Sequence, residues 1–157
     1  MNYMRRSESS MREDRIRIMK RVANRIVKAS YDFLERDGRA REIAEEFNLD
    51  EGDVLLLMDA LDEVRSKFPG KSDSWYVRAV LRILSGVKRV HKDHWIVPGL
   101  NTLGDYYPYY NVKMTKDGKY TCDCHVHAYG YTRRSRVCTH IAAVMVYRRV
   151  RVQLKLV

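Results

Sequence analysis

Apolar residues recur at helical spacing from Met11 onward. Ile16, Met19, Val22, Ala23, Ile26, Val27, Phe33 and Leu34 share one stripe that closes at Asp37-Gly38. This predicts a single long amphipathic helix. Its other face, with Arg12, Arg15, Arg17, Lys20, Arg21, Arg25 and Lys28, suits either phosphates or plain solvent. Residues 1–11 are polar and unpatterned and read as a flexible arm. A second helix is predicted from Ala40 to Phe47, then a turn at Asn48-Leu49-Asp50. A third runs from Glu51 to Lys67, stopped by Pro69-Gly70. Ser72-Asp73-Ser74 supplies N-cap residues for a fourth, with Trp75, Val77, Val80, Leu81 and Leu84 to pack, and Gly86 ends it.

After Val87 the period shortens. Lys88 to Val97 alternates loosely as a strand, and Pro98-Gly99 interrupts it. Tyr109 to Thr115 alternates clearly, with Tyr110, Val112 and Met114 on one face. Lys116-Asp117-Gly118-Lys119 carries a hairpin signal, which makes Tyr120 to Cys124 the returning strand. The run Tyr106-Tyr107-Pro108-Tyr109-Tyr110 reads as core and strand packing in preference to a base-stacking platform. Cys138 opens a last helix, and Arg151 to Val157 alternates as a short closing strand. The expected class is α+β: a helical domain of about four helices over 12–86, then a ββα metal-binding module over 87–157.

Charge sharpens this division. Net charge is +10, with ten basic against five acidic residues in 1–36, four against ten in 37–70 and sixteen against five in 71–157. A basic C-terminal half points to a polyanionic partner, although basic composition also serves solubility. No run of about 18 apolar residues is present to span a bilayer, and the N-terminus lacks a signal-peptide pattern, so a cytoplasmic protein is expected. A single glutamine, Gln153, with abundant Arg, Glu and Lys also fits a thermophile's composition.

Residues 42–55 resemble the helix-turn-helix family, with Ala44 at the helix crossing, Asn48 in the turn and Leu49 and Val54 in the core. The resemblance implies that Glu51 to Lys67 is the recognition helix. Its charge argues otherwise. Glu51, Asp53, Asp59, Asp62 and Glu63 precede the first basic residue, Arg65, and a helix facing phosphates needs the opposite sign. The acidic stretch 51–63 is therefore expected to pack or to contact a basic protein partner.

All three cysteines of the chain fall beside one histidine as C-x-C-x13-C-x-H: Cys122, Cys124, Cys138 and His140. Two tight Cys/His pairs separated by a loop are the ligand spacing of a tetrahedral zinc site. An odd cysteine count confined to one motif argues against a disulfide framework. On a strand, Cys122 and Cys124 face the same side and Asp123 points away. At a helix start, Cys138 in extended geometry and His140 in the first turn can converge. Three thiolates and one imidazole around Zn²⁺ leave a charge of −1, which Arg133, Arg134 and Arg136 can compensate. His125 and His127 lie near enough to substitute as ligands. Four protein ligands leave no position for water, so one structural ion and no catalysis is expected. Its loss should unfold residues after about 90 and spare the helices.

Trp95-Ile-Val97, the hairpin, C-x-C, a loop and C-x-H running into Ile-Ala-Ala-Val resemble the SWIM zinc finger family over residues 90–148. The resemblance implies that the four motif residues bind zinc in a ββα unit used for DNA and protein contacts. It does not fix the role of the host protein.

The segment between the ligand pairs, His125 to Val137, sets Tyr129 and Tyr131 beside Arg133, Arg134 and Arg136. Stacking faces beside cations suit unpaired or irregular nucleic acid, although a solvated loop has the same composition. Lys88, Arg89, Lys92, Arg148, Arg149 and Arg151 could extend the patch. No carboxylate pair, serine triad or Gly-rich phosphate loop stands out, and no small-molecule substrate is expected. Three readings stay open. One is a zinc-stapled nucleic-acid-binding protein with RNA or a ribonucleoprotein slightly preferred over DNA, of which a ribosome-associated role would be one form. The second is an adaptor in a DNA repair, recombination or transcription assembly. The third is a pure interaction protein.

Overall fold

Helix α1, Glu8–Ala29, starts inside the expected arm because Ser7 caps it, its hydroxyl accepting the Ser10 N–H at 3.3 Å. It also stops earlier than the apolar stripe predicts. Ser30 turns its hydroxyl back onto the Val27 carbonyl at 2.6 Å, and the Arg36 guanidinium captures the Ser30 carbonyl, so the ladder does not continue. Phe33 and Leu34, expected on the buried stripe, are 71 % and 98 % exposed in the connection that follows. Asp37-Gly38 lies inside helix α2, Arg36–Phe47, rather than ending α1. The computed structural model describes residues 7–124 and 137–150. Arg133, Arg134, Arg136, Tyr129, Tyr131, Arg151, His125, His127 and the expected closing strand lie outside the described residues, as do residues 1–6 of the arm.

The next connection forms where the sequence predicts it. Asn48 adopts the left-handed conformation (φ 55°) that lets the chain leave α2, and Asp50 caps helix α3, Glu51–Lys67, by accepting the Asp53 N–H at 3.0 Å. Four of the five acids of α3 are engaged within the chain. Arg36 meets Asp59 at 2.9 Å and Asp62 at 2.5 Å, Arg41 meets Glu51 at 3.6 Å, and Arg149 meets Glu63 at 3.1 Å. Ser72 caps helix α4, Asp73–Leu84, and Gly86, at φ 109°, releases the chain into the sheet.

Strands β1 (Lys88–His91), β2 (His94–Pro98), β3 (Tyr109–Met114) and β4 (Tyr120–Cys122) form one antiparallel sheet in sequence order. The stretch 88–97, predicted as one strand, is a hairpin turning at Lys92-Asp93. Its alternation is loose because a register shift between Arg89 and His91 interrupts it. The last strand also ends sooner than predicted. Asp123 sits in a turn, its carboxylate accepting the Asn111 N–H and side-chain amide, both at 3.0 Å, and Cys124 is already helical in conformation. Of the tyrosine run, only Tyr110 is buried; Tyr106, Tyr107 and Tyr109 are exposed, correcting the expectation that the run packs in the core.

Helix α5, Thr139–Val150, packs against α3 and α4 and also against β2, β3 and β4. Val22, Ile26, Leu57 and Leu61 from the helices therefore share one continuous core with Trp95 and Val97 from the sheet and Val144 from α5. The chain is α+β, with five α-helices and a four-stranded antiparallel sheet among the described residues. The segments on either side of residue 86 have one interior. No described helix is long and apolar enough to cross a membrane.

Candidate metal centre

Three elements bring four ligands together. Cys122 ends β4, Cys124 follows it after one turn residue, and Cys138-Thr-His140 enters α5, with Cys138 just before the helix and His140 its second residue. The sulfurs of the three cysteines and a ring nitrogen of His140 all lie within 4.8 Å of one another. Cys122, Cys124 and His140 are buried and Cys138 is half-buried. The Ile141 N–H donates to the Cys138 sulfur at 3.4 Å, so the open end of α5 favours a thiolate there.

The electrostatics call for a cation. Hydrogen bonding with Cys124 and Cys138, then burial, then repulsion from the same two sulfurs push the Cys122 thiol far above its usual range, so three thiolates do not share this dry site unaided. A divalent ion removes that conflict. Burial works against a charged His140, but hydrogen bonding to Asp105, Cys124 and Cys138 outweighs it and raises the imidazole to about 10. Nε2 faces Asp105 Oδ1 at 3.2 Å, and both ring nitrogens are buried without a well-aligned hydrogen bond. Because Asp105 stands against Nε2, Nδ1 is the nitrogen left to take a metal. Donor chemistry and spacing both fit: Cys122, Cys124, Cys138 and His140 can bind one metal ion.

The support behind His140 was not legible in the sequence. Asp105 is 7 % exposed in its side chain, and Arg82, from the last turn of α4, is 3 % exposed and grips both of its carboxylate oxygens. Arg82 also donates from Nε to the Thr139 hydroxyl at 3.0 Å, so one guanidinium ties α4 to the start of α5. The Leu100 N–H adds a 2.8 Å bond to Asp105. Burial alone would raise the carboxyl, but His140, Arg82 and the Leu100 N–H hold it well below the usual carboxylate range. The Tyr110 ring stacks on the imidazole, centroids 4.1 Å apart, and its hydroxyl accepts the Tyr106 and Tyr107 N–H groups at 3.1 and 3.2 Å. The one sequence signal was a lone arginine between Leu81 and Ile83 on an otherwise apolar run.

A cavity of about 350 Å³ lies beside the cluster, lined by Lys71, Trp75 and Arg78 of the α4 region and reaching Cys124, Cys138 and His140. The expected cationic patch is only partly visible. Lys88, Arg89 and Lys92 are exposed on β1 and its turn, with Arg89 bent back onto the His91 and Lys92 carbonyls. Arg148 lies over the Trp95 ring at 5.2 Å and donates to the Tyr120 hydroxyl, and Arg149 is bound to Glu63 and the Met145 carbonyl. These two arginines pack α5 against its neighbours. No protein-family model, curated protein or solved structure matches this chain.

Proposed function

We propose that this chain is a non-catalytic, zinc-stapled nucleic-acid-binding protein whose preferred partner is RNA. The observation that carries the reading is the convergence of Cys124 and Cys138 on one cluster. Residues 125–137 therefore leave from and return to a single ion. That segment concentrates Arg133, Arg134 and Arg136 beside Tyr129 and Tyr131, a composition that meets phosphates and bases together. Three soft thiolates and an imidazole in a tight set favour Zn²⁺, for which a sulfur–sulfur edge of roughly 3.8 Å is ideal. With all four positions filled by protein, the ion supplies rigidity rather than a reactive water.

The strand pair β3–β4 running into α5, with ligands at the strand end and the helix start, supports kinship with SWIM zinc fingers and their ββα unit. The internal pairing of Asp59, Asp62 and Glu63 leaves the acidic helix less charge to offer a basic protein, so the nucleic-acid reading is preferred over the adaptor.

The test is binding to a labelled RNA across a salt series, with metal content measured on the same preparation. One zinc per chain and a steep fall of affinity with salt are expected. Replacing Arg133, Arg134 and Arg136 together by Gln should lower the salt slope by about 2, at roughly 0.7 per lost phosphate contact on a single strand. Absence of stoichiometric metal, or salt-independent binding, contradicts the proposal.

A further inference from the structure

The sheet has one covered and one open side. Trp95, Val97, Tyr110, Val112 and Cys122 face inward and are buried, under α5. The strand register fixes the other side. Lys88 pairs with Ile96 and Ile96 with Asn111, His94 pairs with Lys113 and Lys113 with Thr121, and Pro98 pairs with Tyr109. These rows alternate with the buried ones, so they lie together on the solvent side. Lys88, Tyr109, Lys113 and Thr121 are exposed, and His94, Ile96, Pro98 and Asn111 are half-buried. No described element covers this face.

Its chemistry is ordered along β3. At one end stands Tyr109, 55 % exposed, beside the exposed Tyr106 and Tyr107; four residues on, roughly 14 Å away, is Lys113. The hairpin turns beyond that end add Lys92, Lys116 and Lys119, opposed by Asp93 and Asp117. Asp123 at the face's margin is tied to Asn111 by two hydrogen bonds. The surface therefore offers a π-face, an aliphatic floor of Ile96 and Pro98, and an excess of lysines.

We propose that this open sheet face is a platform for an unpaired nucleic-acid strand, with Tyr109 stacking on a base and Lys88 and Lys113 meeting phosphates. The inference rests on the nucleic-acid reading above and names further residues for it, on the sheet, in addition to 125–137. An unpaired strand is the occupant because its bases present free faces to an exposed tyrosine, whereas a duplex keeps its bases stacked inside. Lysines in the same rows supply the complementary charge.

The experiment uses the full, zinc-loaded chain, with fluorescence anisotropy of labelled oligouridylate and of an RNA duplex of equal length. Tyr109→Ala should raise the Kd for the single strand about 5- to 150-fold, the span of one lost base stack. Lys88→Gln with Lys113→Gln should lower the salt slope by about 1.4. Circular dichroism and zinc stoichiometry should match the parent in both variants, since neither set touches the core or the ligands. If single-strand affinity and slope are unchanged in both variants while the Arg133/Arg134/Arg136 replacement abolishes binding, the platform is overturned and the nucleic-acid function stands. Preference for the duplex also overturns it. If the parent binds neither probe with salt dependence, the functional reading falls and the platform with it.

Discussion

Changing Asp105 to Asn keeps its size and removes only the charge that Arg82 and His140 share. The guanidinium is then buried without a counter-ion, and the imidazole loses the partner that turns Nδ1 toward the thiols. Metal affinity should fall roughly 10–100-fold, measured by competition with a chromogenic chelator. Stability should fall by about 3–5 kcal/mol, the cost of breaking a buried pair from one side. Full affinity in Asp105→Asn would remove Asp105 from the metal's support. The four ligands were legible because C-x-C and C-x-H are short-range spacings. Arg82 and Asp105 were not, because their partnership spans 23 residues, and the bond from Arg82 to Thr139 spans 57. Nothing local marks either residue as one half of a pair.

Elements were easiest to read where a side chain punctuates the backbone. The α2–α3 turn followed from Asn48 and Asp50, and α4 from Ser72. The errors arose where a distant group decided the matter: Arg36 ends α1 by taking the Ser30 carbonyl, which periodicity cannot see. The return from β2 to β3 is a second such place. Gly99 donates its N–H to the Pro108 carbonyl at 2.8 Å, and a Cβ there would meet the Tyr107 carbonyl oxygen at 1.9 Å. Gly99→Ala must therefore push the 105–108 segment outward, at a cost on the order of 1–3 kcal/mol in urea unfolding. Because that segment carries Asp105 and hangs on the Tyr110 hydroxyl, weaker metal retention should accompany the loss. An alanine variant with parent stability would show that the close approach is not needed.

For the molecule as a whole, the sequence suggested that removing the ion would unfold residues after about 90 and leave the helices standing. The shared core points to a different outcome. Helix α5 is buried against α3 and α4 as well as the sheet, with Ile141, Ala142, Val144 and Val146 at most 2 % exposed. Chelation, or Cys124→Ser, should lower the melting temperature of the entire chain in one transition, followed by far-UV circular dichroism for the helices and, in a Trp75→Phe background, by Trp95 fluorescence for the sheet. Two separated transitions would restore the picture of independent units. A composition that changes at residue 86 hid this, because charge and period report on surface and local backbone, not on which faces meet.

Arg82 also imposes an order of events. Its carboxylate partner lies 23 residues further along the chain and its hydroxyl partner 57, so the buried guanidinium is fully partnered only when the start of α5 is in place. Burying that charge without them is costly, which disfavours a core closed around the helices alone. Docking of the last helix completes the partners of that charge.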